Sequence, residues 1–144
     1  MEEAPRADTE RLLAYLHDRF GDTVRSCVEY TPNTSRIHYL RDDIEIDKSQ
    51  AETRLVRVKE LYHAERLSAT PLVDDSELGR LCVSTHLFEG ALVVHLIDAS
   101  GRVIGVSLDS TTQPELLTLA TDCLDALYGE VPERLAAQKR DIEA

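Results

Sequence analysis

Two histidines, His86 and His95, are the side chains whose type and spacing come closest to chemistry in this sequence. They sit in two strand-like runs, Leu81-Cys-Val-Ser-Thr-His-Leu-Phe88 and Ala91-Leu-Val-Val-His-Leu-Ile97, separated by Glu89-Gly90. A two-residue hairpin loop there puts Phe88 opposite Ala91, Thr85 opposite Val94 and Val83 opposite Leu96. In that register His86 and His95 are diagonal neighbours on one face, their backbones about 7–8 Å apart. By alternation Cys82, Phe88 and Val93 share that face. Two histidines and a cysteine could ligate zinc or another transition metal. The simpler reading, adopted here, buries both rings beneath a helix or a second subunit, with no metal and no cofactor. In an interface, protonation below about pH 6 would place charge there and weaken association.

Other motifs do not complete a reactive constellation. Asp43-Ile-Glu-Ile-Asp47 opens like a calcium loop, but Lys48 stands where glycine is needed and Arg54 where the bidentate glutamate belongs. It reads as a solvated acidic connector. Ser84, Ser107 and Ser110 lie in no nucleophile elbow, and no cysteine adjoins a base in sequence. The six glycines are scattered and form no phosphate-cradling loop. Arg41-Asp42-Asp43 either meets a partner or pins the chain at the sheet end, and pinning is the reading adopted. No catalytic residue is assigned, and the expectation is a protein that is not an enzyme.

Composition narrows the classes further. The chain has 144 residues, 42% of them hydrophobic, enough for one domain with a real core. Its 27 acidic and 16 basic residues give a net charge of −11. Only Lys48, Lys59 and Lys139 are lysine, leaving thirteen arginines among the 16 basic residues. An acidic, lysine-poor surface fits a salty cytoplasm, where screening offsets self-repulsion. No basic stripe is available to neutralise phosphates, so no binding of nucleic acid by the chain alone is expected. No apolar run approaches eighteen residues and no signal-peptide pattern opens the chain, so a cytoplasmic protein without membrane attachment is expected. Cys27, Cys82 and Cys123 are odd in number and widely spaced, which suits buried thiols in a reducing compartment.

The elements that must position these residues follow from periodicity and punctuation. Residues 1–7 read as a disordered tail. Asp8 caps a first helix that carries Leu12, Leu13, Leu16 and Phe20 on one side and stops at Gly21. Val24, Ser26, Val28 and Tyr30 alternate with Arg25, Cys27 and Glu29 as a half-buried strand. After the turn Thr31-Pro-Asn-Thr-Ser35, residues 36–40 form its hairpin partner. Ser49-Gln-Ala-Glu52 is a capping box for a middle helix, about residues 50–67. In it Leu55, Val58 and Tyr62 alternate with charge, and these three join the candidate interface or pocket. A loop over residues 68–79 leads to the three-stranded meander. Asp98-Ala-Ser-Gly101 is read as its second turn, which would add Ile104, Val106 and Leu108 to the histidine face. Thr112-Gln-Pro-Glu115 is expected to cap the next helix, striped with Leu116, Leu117, Ala120, Leu124 and Leu127 and ended by Gly129. Residues 130–144 form a charged C-terminal helix or tail that frays or meets a partner. With apolar residues on both faces, the meander needs a cover on both sides.

The fold expected is therefore α+β, one domain over residues 8–129, in the order α-β-β-α-β-β-β-α. Over about that span the order resembles the roadblock/longin/profilin-like group. That resemblance implies a five-stranded antiparallel sheet with helices on both faces, the first and last on one and the middle helix on the other. The sequence also resembles a haloarchaeal family that is a domain of unknown function. The residues that carry the likeness are Tyr39-Leu-Arg-Asp-Asp-Ile44, Leu87-Phe-Glu-Gly-Ala-Leu-Val-Val-His-Leu96, Gly105-Val-Ser-Leu-Asp109 and Cys123-Leu124. It implies a host and a compartment but no site. Proteins of the roadblock-like group commonly dimerise through the middle helix and an adjoining edge strand. The expectation is thus a small regulatory or scaffolding homodimer with a further, unknown protein partner. The alternative is a ligand-sensing domain of a transcriptional or signalling system, with a pocket between sheet and helix near His86, His95 and Cys82.

Overall fold

In the computed structural model the described residues are 8–31, 34–44, 49–50, 53, 56, 60, 81–98, 102–112 and 114–143. They form an α+β arrangement around one five-stranded antiparallel sheet. The helices are α1 (Thr9–Phe20), α2 (Leu116–Tyr128) and α3 (Glu133–Glu143). The strands are β1 (Val24–Tyr30), β2 (Ser35–Leu40), β3 (Val83–Leu87), β4 (Ala91–Ile97) and β5 (Val103–Asp109). Their spatial order is β2-β1-β5-β4-β3, which leaves β2 and β3 on the outside. Ser49, Gln50, Thr53, Val56 and Glu60 are helical, and the Thr53 hydroxyl donates to the Ser49 carbonyl at 3.0 Å. The remainder of the expected middle helix, Leu55, Val58 and Tyr62 included, lies outside the described residues, as do the loop over residues 68–79 and the tail of residues 1–7.

Helix ends follow the local chemistry with one correction. Asp8 accepts a hydrogen bond from the Arg11 amide and satisfies an orphan donor of α1. Gly21 ends that helix at φ +56 and Gly129 ends α2 at φ +71, backbone that side chains rarely adopt. The capping box expected at Thr112 is absent. Glu115 itself caps α2, its two carboxylate oxygens accepting from the amides of Leu117 and Thr118 at 3.1 and 2.7 Å. Those bonds hold its carboxyl below the ordinary glutamate range. Helix α2 therefore begins after Pro114, and Leu116 is 51% exposed rather than part of the apolar stripe. Among the residues it buries are Leu119, Cys123, Leu124 and Leu127.

Those side chains and Leu12 and Leu16 of α1 join Leu92, Val94 and Leu96 of β4 and Ile104, Val106 and Leu108 of β5 in one core cluster. The hairpin register matches expectation, with Val83 opposite Leu96, Thr85 opposite Val94 and Leu87 opposite Leu92. The β5 register does not. Ile97 pairs with Val103 and the Asp98 amide donates to the Arg102 carbonyl at 3.1 Å, so Ile104, Val106 and Leu108 face the helices, not the histidines. The cause is Asp98, whose carboxylate binds both the amide and the guanidinium of Arg102. Asp98 and Arg102 thus stand opposite each other, whereas a turn beginning at Asp98 would set Ile97 opposite Arg102, and that one-residue slip turns every side chain over. Cys27 was expected as a buried thiol, on the alternate phase of β1 from Val24. It is wholly buried, and because the register of β1 shifts between Val24 and Ser26 it shares the helix-side core with Val24 rather than alternating with it.

Candidate functional site

The second face of the sheet can be read row by row from the pairing. One row runs His86, Val93, Ser107, Ser26, Leu40, and the next runs Ser84, His95, Gly105, Val28, Ile37. A third carries Ile97, Val103, Tyr30 and Ser35. Its centre is withdrawn from water: Ile97 and Val103 are buried, and His95 is 7% exposed. This face therefore combines apolar burial with hydroxyls, imidazoles and a glycine.

The two imidazoles do come together, with ring centroids 5.2 Å apart and planes tilted by 53°. Ser84 Oγ lies 2.9 Å from Nε2 of His86, two residues along the same strand face. His95 lies across Gly105. A Cβ at position 105 would fall 3.3 Å from Cδ2 of His95 and 3.3 Å from Cε2 of Tyr30, so the glycine is what admits both rings. Burial, and secondarily the neighbouring His86, lowers the pKa of His95 to about 4, so its ring is neutral at neutral pH. Farther along the row, Ser26 Oγ and Ser107 Oγ are 2.5 Å apart, each satisfying the other.

Of the other expected site residues, Phe88 is 57% exposed at the hairpin tip and Val93 is half-buried between His86 and Ser107. Cys82 precedes β3 and is buried with Leu92, Val94 and Leu96 in the helix-side cluster. Among the described residues no group of three histidine, cysteine, aspartate or glutamate side chains could hold a metal ion. Leu55, Val58 and Tyr62 lie outside the described residues. Strand alternation places Ser84 on the histidine face, as observed, but sequence reasoning missed Gly105 and Tyr30. Those two depend on the β4–β5 and β1–β5 registers. The thiols of Cys27 and Cys123 are both pushed up to about 12, chiefly by burial, which makes them inert packing groups.

Charge gathers at the two ends of the sheet. Arg41 Nε and Nη2 donate to the Asp43 carboxylate at 2.6 and 3.1 Å, and Nη1 donates to Asp109 and to the Asp22 carbonyl, each at 2.9 Å. Arg25 approaches the same Asp109 at 3.5 Å. The guanidinium holds the carboxyls of Asp43 and Asp109 below their ordinary range. The Arg41-Asp42-Asp43 stretch thus pins the chain where β1, β2 and β5 meet. At the opposite end Arg102 bridges Asp98 and Glu29, and Glu29 accepts from His38 at 2.8 Å. On the helix side, Tyr15 donates to Asp122 at 3.0 Å and Lys139 of α3 binds the same carboxylate. Among the described residues no helix is long and apolar enough to cross a membrane.

Residues 10–128 match the model of a family described as a domain of unknown function (DUF7522). No curated protein matches the chain.

Proposed function

The chain belongs to the DUF7522 family, and from that premise we propose that it is a small cytoplasmic regulatory or scaffolding protein, not an enzyme, that acts as a homodimer through its outer strand β3. The observation that carries this reading is a difference between the two outer strands. Sheet edges invite pairing with another chain, and proteins blunt them with charge and with bulges. Strand β2 is blunted on both counts. It carries Arg36, and its register with β1 shifts between Cys27 and Val28, leaving an extra residue on β2. Strand β3, Val-Ser-Thr-His-Leu, has no aspartate, glutamate, lysine or arginine in a chain that is 30% charged. It runs into Leu87, 77% exposed, and Phe88, 57% exposed.

Pairing the whole of β3 with its copy about Thr85 sets Leu87 beside Val83 of the second copy. That covers the apolar end and brings no like charges face to face. The roadblock-like resemblance supports the same edge, since α1 and α2 share one face as it implies. A haloarchaeal host fits the net charge of −11, which high salt would screen between two approaching copies. A native mass spectrum of the purified protein tests the reading and reports any retained ligand at the same time. The expected result is a ligand-free dimer for the parent chain and for Ile37→Glu on β2, and a monomer for Leu87→Glu. A Leu87→Glu dimer would exclude this edge, and a bound small molecule would favour the ligand-sensing alternative.

A further inference from the structure

We propose that the face shared by α1 and α2 is an exchangeable helix-docking site. Helix α3 fills it from within the chain, and a partner helix with an apolar residue followed one turn later by a lysine displaces α3. The proposal rests on the regulatory or scaffolding reading for the existence of a partner, but not on the β3 dimer. Helix α3 lies wholly beyond residue 128, where the family match ends. Gly129, at φ +71, closes α2, and the amides of Leu135 and Ala136 donate to the Pro132 carbonyl to open α3. Residues 129–132 are all that separates the two helices.

The seat is built by the matched domain itself. Asp122 of α2 is half-buried; its Oδ2 accepts from Tyr15 of α1 at 3.0 Å, and its Oδ1 accepts from Lys139 of α3. Burial and Asp122 push the Tyr15 phenol up, so it stays protonated and goes on donating. The apolar part of the contact comes from Leu135 and the preceding Val131, which pack against the core cluster. Leu135 and Lys139 are four residues apart and so share one side of α3. An apolar residue with a cation one turn on is the pattern the site reads, and a net charge of −11 favours a basic occupant.

The hold is shallow. Among the described side chains of α3 none is buried, and an ion pair at this exposure contributes little by itself. At 11 residues α3 is shorter than the roughly 12–15 that an isolated helix needs to persist in water, so its helix and its docking are lost together. What keeps it seated is the short tether, which holds it at a high effective concentration. A partner helix that is already formed loses less conformational entropy on docking and competes for the same carboxylate.

Fluorescence anisotropy of a labelled peptide of residues 130–144, titrated with the full chain at fixed salt, tests the proposal. The parent should bind it weakly, because its own α3 competes. The full chain opened by Leu135→Gln and Lys139→Gln together should bind it about tenfold more tightly or better. A peptide carrying Lys139→Glu should lose about fivefold on that opened chain. Adding Asp122→Lys to the opened chain should reverse the preference between the two peptides, which loose apolar sticking would not do. No binding to an opened chain whose circular dichroism matches the parent overturns the proposal. So does equal affinity of parent and opened chain, or a preference that ignores the charge at position 122. Should the doubly substituted chain fail to fold, the single Lys139→Gln chain takes its place under the same criteria. The native mass spectrum judges the β3 edge separately, so either idea can fail and leave the other standing.

Discussion

The two faces of the sheet are both withdrawn from water, but they are built from different materials. The helix-side face of β4 and β5 is aliphatic, with Leu92, Val94, Leu96, Ile104, Val106 and Leu108 meeting leucines of α1 and α2. The other face spends its central positions on His95, Gly105, Ser26 and Ser107, with Tyr30 alongside. Aliphatic burial depends on shape and is indifferent to pH. A buried imidazole and paired hydroxyls depend on partners, because each unsatisfied polar group costs on the order of 1–3 kcal/mol. The difference teaches that one face holds the fold, while the other is where solution conditions can act on it.

Three substitutions or titrations would break or sharpen that contrast. The largest effect is expected on the aliphatic side. Ile104→Ala, at a position of 0% exposure, should lose about 2–5 kcal/mol in denaturant unfolding, equally at neutral and acid pH. Next comes the acid limb. His95 titrates near 4 when folded and near about 6.5 when unfolded. Stability should therefore fall as pH drops through that window, by on the order of 3 kcal/mol. In His95→Leu the part of the acid loss due to this ring should vanish. Matching pH profiles for parent and variant would remove the contrast between the faces. The smallest effect is set by Gly105→Ala. The new methyl group would meet His95 and Tyr30 at 3.3 Å each, and should cost about 1–3 kcal/mol. A shifted His95 titration in that variant, read by NMR, would show that the glycine sets the ring's burial.

Much of this architecture was legible beforehand, and the misses share one cause. Alternation and a Glu-Gly loop were enough to place Val83 opposite Leu96 and to bring His86 beside His95, because local pattern and turn length agree there. Asp8 and Gly21 marked α1 by their chemistry alone. A strand's period can be read from its own residues, but its phase depends on the connection before it. Counting Asp98 as a turn residue rather than as the partner of Arg102 turned Ile104, Val106 and Leu108 to the wrong face, since nothing local announces that these two will pair. Strict alternation failed in β1 in the same way, since a register shift that no neighbouring residue encodes puts Val24 and Cys27 on one face. Cys82 followed the alternation on paper but precedes the strand that would have enforced it. Thr112 matched a capping box by spacing, and Glu115 took the role because its carboxylate reaches two amides at once.

The Asp8 amide donates to the Leu127 carbonyl at 2.7 Å. The opening of α1 and the close of α2 are therefore stitched at a single point, and the intervening chain is a nearly closed loop. A short linker bridging that gap would let the polypeptide be cut and restarted at an exposed turn elsewhere without disturbing the order of the strands. Any handle, tether or fusion placed at either end of this span would pull on the same spot of the molecule.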